Sequence, residues 1–154
     1  MDIKIQKKPA FTVAGVLLEA IDNSQCPSAW EDLYNNHSLE SLENLGSGQS
    51  FGVCSEVKEG EIIDYMAAYD VTDKVKAEEL GLSIKDVPAA EYAIVPVKGP
   101  IPASIHNAWK YVLEVFFPET GYRHSGAPDF EVYTEGDMSS PDYQMELWIP
   151  VIKN

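Results

Sequence analysis

At one offset, the one that lays Pro9-Ala10 on Pro88-Ala89, this 154-residue chain meets its own chemistry again. Ala14 then falls on Ala93, Ala29-Trp30 on Ala108-Trp109, and Phe51 and Val53 on Phe130 and Val132. Glu56 falls on Glu135, Met66 on Met145 and Tyr69 on Trp148. Two of the three tryptophans pair with each other, and chance matches of residues this rare would scatter over several offsets. The chain is therefore one domain made by duplication, with units at about 1–72 and 87–154 joined by a charged linker at 73–86 that has room for one or two helical turns.

Both copies read alike. Phe11 to Glu19 and Glu91 to Val97 are apolar, β-branched strands. In the second copy Ile105, Ala108, Trp109, Val112, Leu113 and Phe116 recur at helical spacing, with Pro102 near the start and Pro118 past the end. The first helix begins at Pro27, carries Trp30, Leu33 and Tyr34, and fades before Gly46. Two strands close each unit: Phe51 to Val57 with Glu61 to Val71, and Phe130 to Glu135 with Tyr143 to Ile152. Lys58-Glu59-Gly60 reads as a short hairpin turn, and Glu135 to Asp142 as a longer one. Two β-α-β-β units predict an α+β domain of antiparallel sheets, with helices on one face and a central ligand cleft on the other.

Strand alternation sorts candidate site residues, because residues two apart share a face. Met145, Leu147 and Ile149 form an apolar face that should meet the helix, leaving Glu146 with Trp148 on the other. In the preceding strand Phe130 and Val132 read as the core face, leaving Glu131 with Tyr133. At the repeat offset the counterparts of Glu131 and Glu146 are Gly52 and Ala67, and those of Tyr133 and Trp148 are Cys54 and Tyr69. One copy thus supplies both carboxylates and the other supplies small residues, an asymmetry suited to a ligand held between repeats.

Charge narrows the ligand. A net charge of −14 argues against a nucleic-acid surface, which needs clustered Lys and Arg, and suits cations or a basic protein partner. No long apolar run or signal-like N-terminus is present, so the expectation is a cytoplasmic protein without membrane association. Cys26 and Cys54 lack CxxC spacing and read as packing residues. His37, His106 and His124 have no metal-ligand spacing and read as surface or helix residues, so neither a metal nor another cofactor is expected. Gly46-Ser47-Gly48-Gln49-Ser50 does not match a nucleophile elbow and reads as a connector.

With these elements placed, the chain resembles the GyrI-like small-molecule-binding domains, also found as effector-binding parts of AraC-type and MerR-type transcription activators. The resemblance rests on Lys8-Pro9 with Val13-Ala14-Gly15, Ala29-Trp30, Phe51-Gly52-Val53 and Val87-Pro88-Ala89-Ala90-Glu91-Tyr92. It continues in Gly99-Pro100, Ala108-Trp109, Pro118-Glu119-Thr120-Gly121-Tyr122, Phe130-Glu131-Val132-Tyr133 and Glu146-Leu147-Trp148-Ile149-Pro150. It implies a cleft for lipophilic, drug-like cations, with pocket carboxylates at Glu131 and Glu146 and a lining of Tyr133, Trp148, Tyr92 and Tyr69. The chain has no room for the helix-turn-helix module of the activators. Two other functions fit the resemblance: a hydrolase of strained, alkylating small molecules that uses a pocket glutamate and Tyr133, and an acidic protein that binds a basic partner as gyrase-binding relatives do.

Overall fold

The computed structural model describes residues 2–56 and 62–154, so the hairpin turn expected at Lys58-Glu59-Gly60 lies outside the described residues. Two compact units emerge: Pro9–Ala89, and Ala90–Asn154 together with the N-terminal stretch through Lys8.

In the N-terminal unit the elements are β2 (Phe11–Ile21), α1 (Cys26–Asn36), α2 (Leu39–Glu43), β3 (Ser50–Glu56), β4 (Ile63–Asp70), α3 (Lys74–Glu79) and β5 (Ser83–Val87), β1 being Lys4–Lys8 of the other unit. Its antiparallel strands run in the order β3-β4-β2-β5. Helix α1 lays Ala29 and Leu33 on the sheet face that carries Ala14, Tyr65, Ala67 and Tyr69. At Gly15 the sheet has no space for a side chain: a Cβ would stand 1.8 Å from the Ala67 carbonyl oxygen. The segment that sequence reads as a linker contains α3 and a true strand, β5, paired to β2.

The C-terminal unit holds β6 (Ala90–Lys98), α4 (Ala103–Tyr111), α5 (Phe117–Thr120), β7 (Tyr122–His124), β8 (Asp129–Val132) and β9 (Gln144–Lys153). Its order is β1-β6-β9-β8, with β7 also on β9. The outer strand comes from the chain's beginning: β1 pairs β6 as β5 pairs β2, at equivalent positions of the repeat. Ala93, Val95 and Val97 of β6 and Met145, Leu147, Ile149 and Val151 of β9 pack with Ile105, Ala108 and Val112. The helix-covered face of β9 is therefore the one its alternation predicts.

Pro118 does not end the second helix. Between α4 and α5 the Phe117 N–H reaches back to the Val112 carbonyl, a wider turn than the α-helical one, so the proline, which has no N–H to give, enters where the ladder has already widened. The helix stops shortly after, at Gly121, whose φ of 79° is the left-handed cap that glycine adopts without strain. Among the described residues no helix is long and apolar enough to cross a membrane.

Candidate functional site

Directly opposed residues of an antiparallel pair project to the same face of the sheet. Strand β8 pairs β9 with Phe130 opposite Trp148, Glu131 opposite Leu147, and Val132 opposite Glu146. Glu131 therefore lies on the helix-covered face with Leu147, and Phe130 and Val132 lie on the other, the reverse of the sequence expectation for this strand. The reason is that both faces are apolar. On the face away from the helix Tyr92, Ile94, Phe130 and Val132 are all buried, so alternation gave the period of β8 and assigned its sign wrongly.

Register differs between the copies as well. Phe51 with Phe130, and Gly52 with Glu131, keep the repeat offset, but Gly52 stands opposite Ala67 while Glu131 stands opposite Leu147, one position beyond the Glu146 that the offset would give. The longer second hairpin absorbs the additional residue. The structural counterpart of Glu146 is thus Met66, that of Trp148 is Ala68, and Tyr69 corresponds to Ile149. Of the residues singled out from sequence, Glu131 and Tyr133 lie on the helix-covered face of the C-terminal unit, Glu146, Trp148 and Tyr92 lie on its opposite face, and Tyr69 belongs to the N-terminal unit.

Along the side of β9 that does not pair β6, strands β7 and β8 act as one strand interrupted by Gly126-Ala127-Pro128. His124 stands opposite Val151, the Ser125 N–H bonds the Pro150 carbonyl, and pairing resumes at Phe130. The interruption brings His124 to Asp129, Nε2 to Oδ1 at 2.6 Å. Because the Gly126 N–H donates to Nδ1 at 2.9 Å, the ring carries its proton on Nε2 and donates it to Asp129. With both ring nitrogens engaged, His124 is a clamp on Asp129 and not an available base. Its ring also stacks on Trp109 of α4, with centroids 6.4 Å apart and planes at 19°.

Next along the same face is Glu131, half-buried, and beyond it Tyr133 packs against the helix-side core while its hydroxyl donates to Glu131 Oε1 at 2.7 Å. His124, Asp129, Glu131 and Tyr133 therefore make a half-buried polar row beside the buried Val151, Ile149, Leu147 and Met145, with Trp109 stacked at one end. Such a row presents two carboxylates whose side chains are fixed by a ring N–H and a phenol. Of this row, sequence reasoning singles out Glu131 and Tyr133 but not His124, Asp129 or Trp109. The available signal was the Gly-Ala-Pro interruption within an otherwise strand-like Tyr122 to Tyr133.

Glu146 and Trp148 sit on the opposite face. Trp148 Nε1 donates to Glu146 Oε1 at 3.1 Å, and the Lys8 ammonium stands 4.1 Å from the centre of the indole. The Tyr92 ring lies 5.9 Å from Phe130 and 6.1 Å from Trp148, and burial pushes the Tyr92 phenol above its ordinary pKa. Tyr69 belongs to the N-terminal unit, on that unit's own helix-covered face. There its hydroxyl meets that of Tyr34 at 2.8 Å, and Trp30 Nε1 donates to the Tyr65 hydroxyl at 2.9 Å. Burial first, then the Tyr34 hydrogen bond and the Glu43 charge, raise the Tyr69 pKa. Between Tyr65 and Tyr69 stands Ala67, with Gly52 opposite it, where the other copy carries Leu147 and Glu131.

The profile of the family described as GyrI-like small molecule binding domain matches residues 1–152. The chain belongs to the GyrI-like family. Among solved GyrI-like structures, SAV2435 bound to tetraphenylphosphonium superposes with a TM-score of 0.81 at 19% identity, over 99% of this chain and 94% of that one. A putative bacterial transcription regulation protein from Staphylococcus aureus MU50 gives a TM-score of 0.75 at 21% identity, over 100% and 99% of the two chains. The C-terminal domain of EcmrR gives 0.72 at 20% identity, over 99% and 98%. No curated protein sequence matches the chain significantly. Family membership makes this a small-molecule-binding domain of α+β fold, and on the helix side of its C-terminal unit the row holds two carboxylates fixed by hydrogen bonds.

Proposed function

We propose that this GyrI-like protein binds lipophilic, aromatic organic cations, with Glu131 as the counter-charge, Tyr133 as the ring beside it and Trp109 as the ring at the other end of the same row. The observation that carries the reading is the position of Glu131: a half-buried carboxylate on the helix-covered face, held by the Tyr133 hydroxyl at 2.7 Å. A carboxylate drawn partly out of water is stabilised by a cation that brings little hydration of its own, so bulky organic cations are favoured over neutral look-alikes. Each aromatic face adds about 0.5–2 kcal/mol of cation–π attraction. Flat apolar walls make few directional demands, which suits a broad ligand range. The fold neighbour solved with tetraphenylphosphonium, a cation of this chemistry, supports the choice of class.

The test is calorimetric titration with tetraphenylphosphonium and with neutral triphenylphosphine oxide, on the wild type, Glu131→Gln and Glu146→Gln. The expected result is cation-selective binding at roughly micromolar Kd, about −8 kcal/mol, weakened at least tenfold by Glu131→Gln and unchanged by Glu146→Gln. Equal affinity for both ligands would overturn the cation reading. Weakening by Glu146→Gln alone would move the site to the other face. Turnover of an alkylating ligand that Glu131→Gln abolishes would make the protein a hydrolase.

A further inference from the structure

We infer that Asp129 is a second anionic position of the same ligand site, which makes the protein selective for organic cations carrying two positive charges spaced as the carboxylates of Asp129 and Glu131 are. The inference rests on the cation reading above and goes beyond it by assigning the partner charge to Asp129 in place of Glu146. Asp129 and Glu131 are alternate residues of β8, so their side chains leave the same face from Cα atoms roughly 6.6 Å apart, the spacing set by the strand rise. Their surroundings are alike. Asp129 keeps 17% of its side-chain surface exposed, its partner His124 keeps 34%, and Glu131 is half-buried.

What distinguishes Asp129 from a solvated surface acid is how it is held. His124 donates to it from a ring oriented by the Gly126 N–H on one nitrogen and by stacking on Trp109. In this tautomer the imidazole is neutral, so its hydrogen bond fixes the direction of the carboxylate without placing a positive charge on the ring. The Trp109 ring, stacked on that imidazole, adds an aromatic surface beside Asp129, as Tyr133 does beside Glu131. Each half of the row therefore combines one carboxylate with one ring. A monocation engages one half; a rigidly spaced dication engages both.

The test compares phenyltrimethylammonium with a bis-trimethylammonium alkane whose nitrogens stand roughly 6.6 Å apart, matching the rise between alternate strand residues. Both are titrated calorimetrically into the full chain at fixed ionic strength. One additional half-exposed ion pair corresponds to about a fivefold gain for the dication. Asp129→Asn, which keeps an acceptor for His124, is expected to abolish that gain, weakening the dication about fivefold more than the monocation. Asp142→Asn, an equal change of net charge on the exposed second hairpin, is expected to preserve it. If Asp129→Asn retains the dication preference while monocation binding persists, the second position is overturned and the cation site stands. If the preference falls equally in Asp142→Asn, the gain comes from the overall charge and the inference fails. If neither ligand binds the wild type, the cation reading itself falls and this inference with it.

Discussion

Replacing Gly15 by alanine tests the strand geometry on which the two-copy comparison depends. A methyl group there would stand 1.8 Å from the Ala67 oxygen, 2.7 Å from its carbonyl carbon and 2.8 Å from the Ala68 Cα. All three are backbone atoms of β4, a strand held on both sides by β2 and β3, so no side chain can swing away to relieve the contact. Overpacking usually costs about 1–3 kcal/mol, and a clash that must move a central strand belongs at about 3 kcal/mol or beyond. For a domain of this length that lowers the Tm by roughly 6–12 °C in thermal unfolding followed by circular dichroism. Gly81→Ala is the comparison: its φ is +74° with no atom within 4 Å, so only backbone strain of about 1–2 kcal/mol applies. A Gly15→Ala protein melting at the wild-type temperature would refute the β2–β4 spacing, and with it the register that sets Gly52 opposite Ala67 where the other copy has Glu131.

Two further outcomes follow from burial. Tyr69 and Tyr92 have phenol pKa values raised by burial, so the folded chain keeps protons that the unfolded chain releases; this stability is complete below the ordinary phenol pKa of about 10 and is lost as pH rises above it. Ultraviolet titration of the folded protein should show a late phase of tyrosine ionisation beyond the ordinary phenol pKa that Tyr69→Phe and Tyr92→Phe each diminish, and all eight tyrosines titrating together near that value would contradict it. Leu147→Ala removes a fully buried side chain under α4 and should destabilise by about 2–5 kcal/mol in urea unfolding, whereas a loss below about 1 kcal/mol would deny the helix-side packing of β9.

Much of the fold was legible because duplication doubles the signal. The strands around Val13 and Val95, the helix carrying Ala108 and Trp109, and the inward set Met145, Leu147 and Ile149 follow from periodicity and are found in place. What periodicity cannot supply is which face the period points to. Phe130 and Val132 are apolar because a second buried layer with Tyr92 receives them, and a one-sided view of the sheet sends Glu131 to the wrong side. The outer strands β1 and β5 were unread because each is short, rich in lysine or mixed in polarity, and paired on one side only. His124 and Asp129 were unread for a different reason. Their partnership depends on the Gly126-Ala127-Pro128 interruption between β7 and β8, a tertiary event with no sequence period.

The proposed ligand site lies on the helix-covered face of the C-terminal unit, beside Glu131, and not on the face of Glu146. The indole N–H resonances report on both faces at once, since Trp109 stacks on His124 at one end of the proposed row and Trp148 lies with Tyr92 on the other side of the sheet. In a two-dimensional ¹H–¹⁵N spectrum recorded through a tetraphenylphosphonium titration, Trp109 should shift progressively to saturation while Trp148 stays within linewidth of its starting position. Saturable movement of Trp148 with Trp109 stationary would contradict the account.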